Sequence, residues 1–263
     1  IRKIFNDKRY PILVDQEGGR VNRLKKIISF DNLTSEFFGN KFTSNFMEFI
    51  FFYKLFIDKT SYLLKSIGVN INTYPCLDLR FKDASNVIGD RSFSEDPKIV
   101  SKIGDYGIKY FHENGIGTVI KHIPGHGQAK VDSHFFTPIV NKKQSSLIKK
   151  DFLAFKNKKT FFAMTAHIIF NKIDNKNTVT HSKKLIKLIR NRIGFKNILI
   201  SDDISMKSLK GTIKENTIKT FKAGCDLVLH SNGDFKEMQI VAENTPLIDK
   251  FILKKTSQFY KIL

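Results

Sequence analysis

The chain runs to 263 residues, 41% of them hydrophobic, which is enough to bury one substantial core and fits a single domain spanning 1–263. A formal net charge of +20 invites nucleic acid as a partner, but only eight of the 45 basic residues are arginine. The lysines are scattered without interleaved aromatics, so the charge is assigned to solvated surface and nucleic-acid binding is set aside as the main function. No apolar stretch approaches the roughly 18–20 residues needed to cross a bilayer, and no signal peptide is expected.

In chain order, Ile12-Leu13-Val14 reads as a short buried strand that ends in Asp15-Gln16-Glu17-Gly18-Gly19-Arg20. Phe49-Ile50-Phe51-Phe52-Tyr53, bracketed by Glu48, Lys54 and Asp58, predicts a buried helix. Val69 to Asn72 is a second strand and leads to Pro75-Cys76-Leu77-Asp78-Leu79. The segment Gly89-Asp90-Arg91-Ser92-Phe93 follows. Pro97 to Asn114 is a helix, started by Asp96-Pro97 and stopped by Gly115. Thr118-Val119-Ile120 is a strand that ends in Lys121-His122-Ile123-Pro124-Gly125-His126-Gly127, with Asp132-Ser133-His134 just beyond.

The pattern then repeats. Phe161 to Met164 ends in Thr165-Ala166-His167, and Ser182 to Ile193 is a helix stopped by Gly194. Ile198-Leu199-Ile200 ends in Ser201-Asp202-Asp203, Asn216 to Ala223 is a helix, and Leu227-Val228-Leu229 ends in His230-Ser231-Asn232. Strands alternating with helices imply a parallel sheet. Every strand carries its polar residues at the C-terminal end, the face that bears the chemistry in a (β/α)8 barrel. The expectation is therefore a TIM barrel, of which about six strands are visible. Cys76 and Cys225 lie in apolar runs and read as reduced thiols, which points to the cytoplasm.

Several groups can carry chemistry. Neighbours on a strand face opposite sides, so only one of Asp202 and Asp203 can face the barrel axis, as nucleophile, metal ligand or helix cap. His122 and His126 have zinc-like spacing only on a helix, and Pro124-Gly125 breaks any helix between them, so no metal is expected. His134 is suited to proton transfer near neutral pH with Asp132 orienting it, or else both decorate an exposed loop. Asp15, Arg20, Arg23 and Arg91 combine carboxylate and planar guanidinium groups fit for sugar hydroxyls and carboxylates, against surface salt bridges as the plain reading.

Taken in order, Asp15-Gln16-Glu17-Gly18-Gly19-Arg20-Val21, Gly89-Asp90-Arg91-Ser92-Phe93, Lys121-His122-Ile123-Pro124-Gly125-His126-Gly127, Asp132-Ser133-His134, Ala166-His167 and Ser201-Asp202-Asp203-Ile204-Ser205-Met206 resemble glycoside hydrolase family 3. Within it they are most similar to the bacterial single-domain β-N-acetylhexosaminidases of peptidoglycan recycling, from about Tyr10 to about Asn232. The resemblance implies Asp202 as nucleophile, His134 as general acid/base and Asp132 as its partner. It implies Asp15, Arg23, Arg91, Lys121 and His122 as sugar-binding groups, with His126 shaping the loop, no cofactor, and a monomer acting on a carbohydrate. It also implies a retaining hydrolysis of terminal β-linked N-acetylglucosamine, with phosphorolysis as the rival because an imidazolium does not repel phosphate.

Family members carry two further strands ahead of the Asp-Gln-Glu-Gly-Gly strand, whereas only Ile1 to Arg9 precede Tyr10 here, and Ile1 is not Met. The expectation is a barrel lacking its first two strands, an incomplete product or fragment, with an inactive member of the family as an alternative. No second domain is expected after Tyr260, which sets the two-domain β-glucosidases aside.

Overall fold

A computed structural model describes all residues, 1–263. Its elements are β1 (Leu13–Val14), α1 (Ser35–Ser44), α2 (Phe46–Ser66), β2 (Ile71–Asn72), α3 (Pro97–Glu113), β3 (Gly117–Ile123), β4 (Ile139–Val140), α4 (Gln144–Lys149), β5 (Phe162–Thr165), β6 (Ile169–Phe170), α5 (Lys183–Leu188), β7 (Ile198–Asp203), α6 (Ile213–Ala223), β8 (Leu227–Leu229), α7 (Phe235–Glu243) and α8 (Lys250–Phe259). Six strands form one parallel sheet in the order β1-β2-β3-β5-β7-β8, the wall of a TIM-like barrel left open between its edge strands β1 and β8. These are the six strands expected from the apolar runs. The small β4–β6 pair stands apart, and its two-residue strands were too short to announce themselves.

Helix boundaries follow local chemistry. Asp96 caps α3 through the Lys98 N–H, with Pro97 in the first turn, and Thr212 and Glu215 close a reciprocal capping box on α6. The expected helix from Ser182 to Ile193 is α5 followed by a π-helical turn, Ile189–Ile193, ended by Gly194. Helix α2 is only half buried, which corrects the buried-helix expectation. Phe49, Tyr53, Phe56, Ile57 and Leu64 face the core, while Phe51 is 64% exposed and Leu55 55% exposed. Consecutive apolar residues around a helix cannot all reach one side.

Strand alternation sorts the core into two bodies. The outer cluster joins the sheet to its helices and includes Ile120, Ala163 and Leu199. The inner one gathers Ile71, Val119, Phe162, Met164, Ile198 and Ile200 around Phe259 of α8. Phe259 is fully buried, although its helix was not foreseen. Helix α8 crosses the N-terminal ends of the strands: at one end Phe251 meets the Arg190 guanidinium 5.9 Å away, and just past the other Tyr260 donates a 3.0 Å hydrogen bond to Asp7. It thus ties the chain before β1 to the β7–β8 side. The inward parity that buries Val119 and Ile200 also turns Lys121 and Asp202 toward the mouth.

Two outcomes test this architecture. Phe259→Ala should lower unfolding free energy by about 3–5 kcal/mol, read by urea denaturation, because it empties the inner core. Leu247→Ala, at a residue 97% exposed, should change it little. A Phe259 variant as stable as the parent would show that α8 does not fill the interior.

The second concerns pH. Burial pushes His112, His126 and His181 down to about 4, so all are neutral when folded and regain an ordinary pKa near ~6.5 on unfolding. Their stabilisation is complete above that unfolded value and is lost as pH falls toward 4. Asp151, pushed up to about 6 by burial, works in the opposite sense, as does Asp226, also raised by burial; the three histidines outweigh them. The urea midpoint should therefore fall between pH 7 and pH 5; a midpoint that holds or rises contradicts the burial assignment.

Candidate active site

The mouth is built where β1, β2, β3, β5 and β7 end. The chain after β1 turns on Gln16, whose Oε1 accepts the N–H of Arg23 at 2.8 Å and of Leu24 at 3.2 Å. Asn72 at the end of β2 grips the Gln16 backbone from both sides, at 3.0 and 2.8 Å. This braces the short strand β1 and projects Asp15 and Glu17 into the mouth.

Glu17 is buried and receives both arms of Arg91 at 2.9 Å, together with the Lys121 ammonium at 2.6 Å. Burial opposes its ionisation, but the Arg91 and Lys121 charges outweigh burial and hold the carboxyl far below the usual range. Burial likewise opposes the charge on Lys121, and Glu17 with Asp15 more than restores it, so the ammonium pKa is raised. Asp15 accepts Lys121 at 2.9 Å and the Thr73 hydroxyl, and sits 3.9 Å from the exposed Arg23. Its pKa is lowered, because Lys121 and Thr73 prevail over burial.

A second knot lies beside it. Asp78 is fully buried; one oxygen accepts His122 Nδ1 at 2.6 Å and the His122 backbone N–H at 3.1 Å, and the other accepts the His126 N–H at 2.6 Å. Burial pushes this carboxyl up, and His122 and His126 pull it down further than burial raises it. Cys76 brings a third ligand-type atom, so Cys76, Asp78 and His122 group their donor atoms within 4.8 Å. Burial pushes the Cys76 thiol well up, however, and the Asp78 oxygens are already engaged by N–H donors. The chemistry of the set is that of a closed hydrogen-bond knot with a protonated thiol.

At the end of β7 the two adjacent acids separate cleanly. Asp203 spends its carboxylate on the Ser205 N–H and hydroxyl, at 2.9 and 2.8 Å, and on the Ser231 hydroxyl at 2.6 Å. Its carbonyl accepts His167 Nε2 at 3.0 Å, while Thr180 donates to Nδ1 at 2.8 Å. Burial keeps His167 neutral, its pKa lowered despite Asp202 and Asp203 nearby. Asp202 receives one protein hydrogen bond, from the Asp203 N–H at 2.8 Å. Burial works against its charge, yet His167, His122 and then Lys121 keep its pKa below the ordinary carboxylate value. An ionised, inward-facing carboxylate with an oxygen to spare can act as a nucleophile.

The loop after β3 carries Asp132 and His134. His134 Nδ1 lies 2.7 Å from Asp132 Oδ1, which also accepts the His134 backbone N–H at 2.8 Å. The slight burial of Asp132 opposes its charge, and the His134 contacts outweigh it and lower the pKa. A carboxylate only accepts, so Nδ1 carries the proton toward Asp132 and Nε2 is left for exchange with a ligand. The His134 side chain is 59% exposed. No hydrogen bond or ion pair joins it to Asp202. His126 bonds Ser133 through Nε2 at 3.0 Å, so it shapes this loop.

The structure thus brings Asp15, Lys121, His122 and Asp202 to one mouth, sets Arg23 at its rim, and spends Arg91 on Glu17 and on the Val87 carbonyl. Glu17, Asp78, Thr73 and His167 were missed as functional residues. Each lay in or near a motif singled out in the sequence, but a buried partner role leaves no local signal.

A family model described as the glycosyl hydrolase family 3 N terminal domain matches residues 6–255. A beta-hexosaminidase of Photobacterium profundum is 30% identical over 96% of this chain and 75% of its own length. One from Actinobacillus pleuropneumoniae serotype 3 is 32% identical over 92% of this chain and 71% of its own. The crystal structure of NagZ from Neisseria gonorrhoeae in complex with N-trifluoroacetyl-D-glucosamine superposes with a TM-score of 0.80 at 26% identity, covering 95% of this chain and 73% of that one. Zinc-bound CbsA of Thermotoga neapolitana gives a TM-score of 0.74 at 26% identity, and there the chain spans only 55% of the structure's length. The chain belongs to glycoside hydrolase family 3.

Proposed function

We propose that this chain removes a terminal, non-reducing β-linked N-acetylglucosamine from peptidoglycan fragments (muropeptides) in the cytoplasm, acting as a monomer through a retaining, two-step mechanism. The observation that carries the proposal is the condition of Asp202: inward-facing, ionised, and supplied with only one protein hydrogen bond. Further support comes from relatives named beta-hexosaminidase and from a similar structure bound to an N-acylated glucosamine.

In the first step an Asp202 oxygen attacks the anomeric carbon. The bond to the leaving oxygen breaks, and that oxygen takes the proton from His134 Nε2. In the second step His134, now neutral, takes a proton from water as the water oxygen displaces the Asp202 carboxylate from the same carbon. Asp132 steadies the imidazolium and fixes the tautomer that leaves Nε2 reactive. Asp15, Arg23, Arg91, Lys121 and His122 hold the sugar. Asp15 and Lys121 offer an acceptor and a donor at the mouth, and Arg91 acts through its clamp on Glu17. The exposed position of His134 requires substrate binding to draw its loop over the linkage.

A chromogenic β-N-acetylglucosaminide assayed with and without phosphate tests the reaction: free N-acetylglucosamine is expected, whereas a sugar 1-phosphate would mean phosphorolysis instead. Asp202→Ala should remove turnover by roughly 10⁴-fold or more while the fold persists. A slowly released fluorinated N-acetylglucosaminyl donor should leave its adduct on Asp202, located by peptide mass spectrometry. An adduct on Asp203, or an active Asp202→Ala enzyme, would overturn the nucleophile assignment.

A further inference from the structure

We infer that Asp151 is a positioning residue for the acid/base histidine, anchoring the root of the loop that carries Asp132 and His134. The inference rests on the role proposed for His134 and extends it to a residue on a different element. Asp151 opens the 3-10 turn Asp151–Phe155 that follows α4. It is buried, and its Oδ2 accepts Gln128 Nε2 at 2.6 Å.

The contact continues along the backbone. At Gly125, φ is +141°, and a side chain there would place its Cβ 2.9 Å from the Asp151 Cβ. On the opposite side, a Cβ on Gly127 would come within 2.1 Å of the Leu79 carbonyl oxygen. The Ala129 carbonyl accepts the Ser85 N–H at 2.8 Å. Residues 125–129 are therefore gripped between Asp151 and the chain after β2. Between Ala129 and Thr137, whose hydroxyl donates to the Ser208 carbonyl at 2.8 Å, the hold is slight: the His126–Ser133 bond of 3.0 Å, and a 3.4 Å contact from the Lys207 N–H to the His134 carbonyl. The orientation of the imidazole is thus inherited from the two roots of the loop, and Asp151 secures the N-terminal one.

Asp151 makes no ion pair; burial opposes its charge, the Asp78 charge adds to that cost, and Gln128 and Lys150 only partly offset it. A buried acid without a counter-ion weakens a fold. The place where this one is tolerated is the hinge end of the proposed catalytic loop.

The test compares kcat/KM on two aryl β-N-acetylglucosaminides, phenyl and 2,4-dinitrophenyl, for the full chain and for Asp151→Ala, Asp151→Asn and Gln128→Ala. A misplaced acid harms only the leaving group that needs a proton. Asp151→Ala and Gln128→Ala should lose roughly ten- to a hundredfold on the phenyl glycoside but less than about threefold on the dinitrophenyl one. Asp151→Asn keeps an acceptor for Gln128 and should stay within about threefold on both. Amide hydrogen exchange across residues 128–136 should be faster in Asp151→Ala than in the parent, whether or not turnover is seen. Equal losses on both glycosides, no loss on either, or unchanged exchange would each overturn the inference. A parent chain inactive on both glycosides, with the exchange response intact, would instead overturn the hydrolase proposal and leave the loop anchor standing.

Discussion

The mouth of this sheet depends on one buried carboxylate. Glu17 pairs with Arg91 and Lys121 together; Arg91 makes no other ion pair, and Lys121 has only Asp15 besides. Removing one member of such a set strands the others without solvent, a far larger loss than any surface ion pair could cause. The same contacts tie the chain after β1 to β3 and to the loop before α3, where β1 itself contributes only two paired residues. Charge pairing therefore holds the edge of the sheet that backbone pairing alone would hold weakly.

Around Glu17 the acids divide by how fully their oxygens are engaged. Glu17, Asp78 and Asp203 are saturated by cations, N–H groups or hydroxyls, and each fixes the course of the chain. Asp202 differs, with a single hydrogen bond of its own and a pKa held low by the basic groups around it. Saturation makes a carboxylate structural; a spare oxygen in an electropositive setting makes it chemical. This distinction separates the adjacent pair at the end of β7 and supports Asp202 over Asp203 in the proposed nucleophile role.

The interior completes the logic of the open wall. A sheet of six strands leaves its concave side short of apolar partners, and Phe259 of α8 supplies them from the N-terminal end. The candidate site occupies the opposite end of the same strands. Stability and reactivity are thus separated along the strand axis, as barrel architecture requires.

Much of this was legible in the chain itself. The six apolar runs marked the strands because fully buried parallel strands read as continuous hydrophobic segments. Asp96-Pro97 and the glycines after the helices marked element ends because capping is local. The ordered motifs identified the family. The inner-core role of Phe259 was not readable, since nothing in Lys250–Phe259 records what lies above it. The partners Glu17–Arg91, Asp78–His122 and Asp151–Gln128 are separated by 74, 44 and 23 positions, and no period or spacing rule links residues so far apart. The sequence by itself determined the strand order along the chain, the face on which polar residues gather, and the kinds of group available there. Which carboxylates are consumed and which one stays free was decided only by tertiary structure, because that outcome depends on distances between strands that meet nowhere but in the folded sheet.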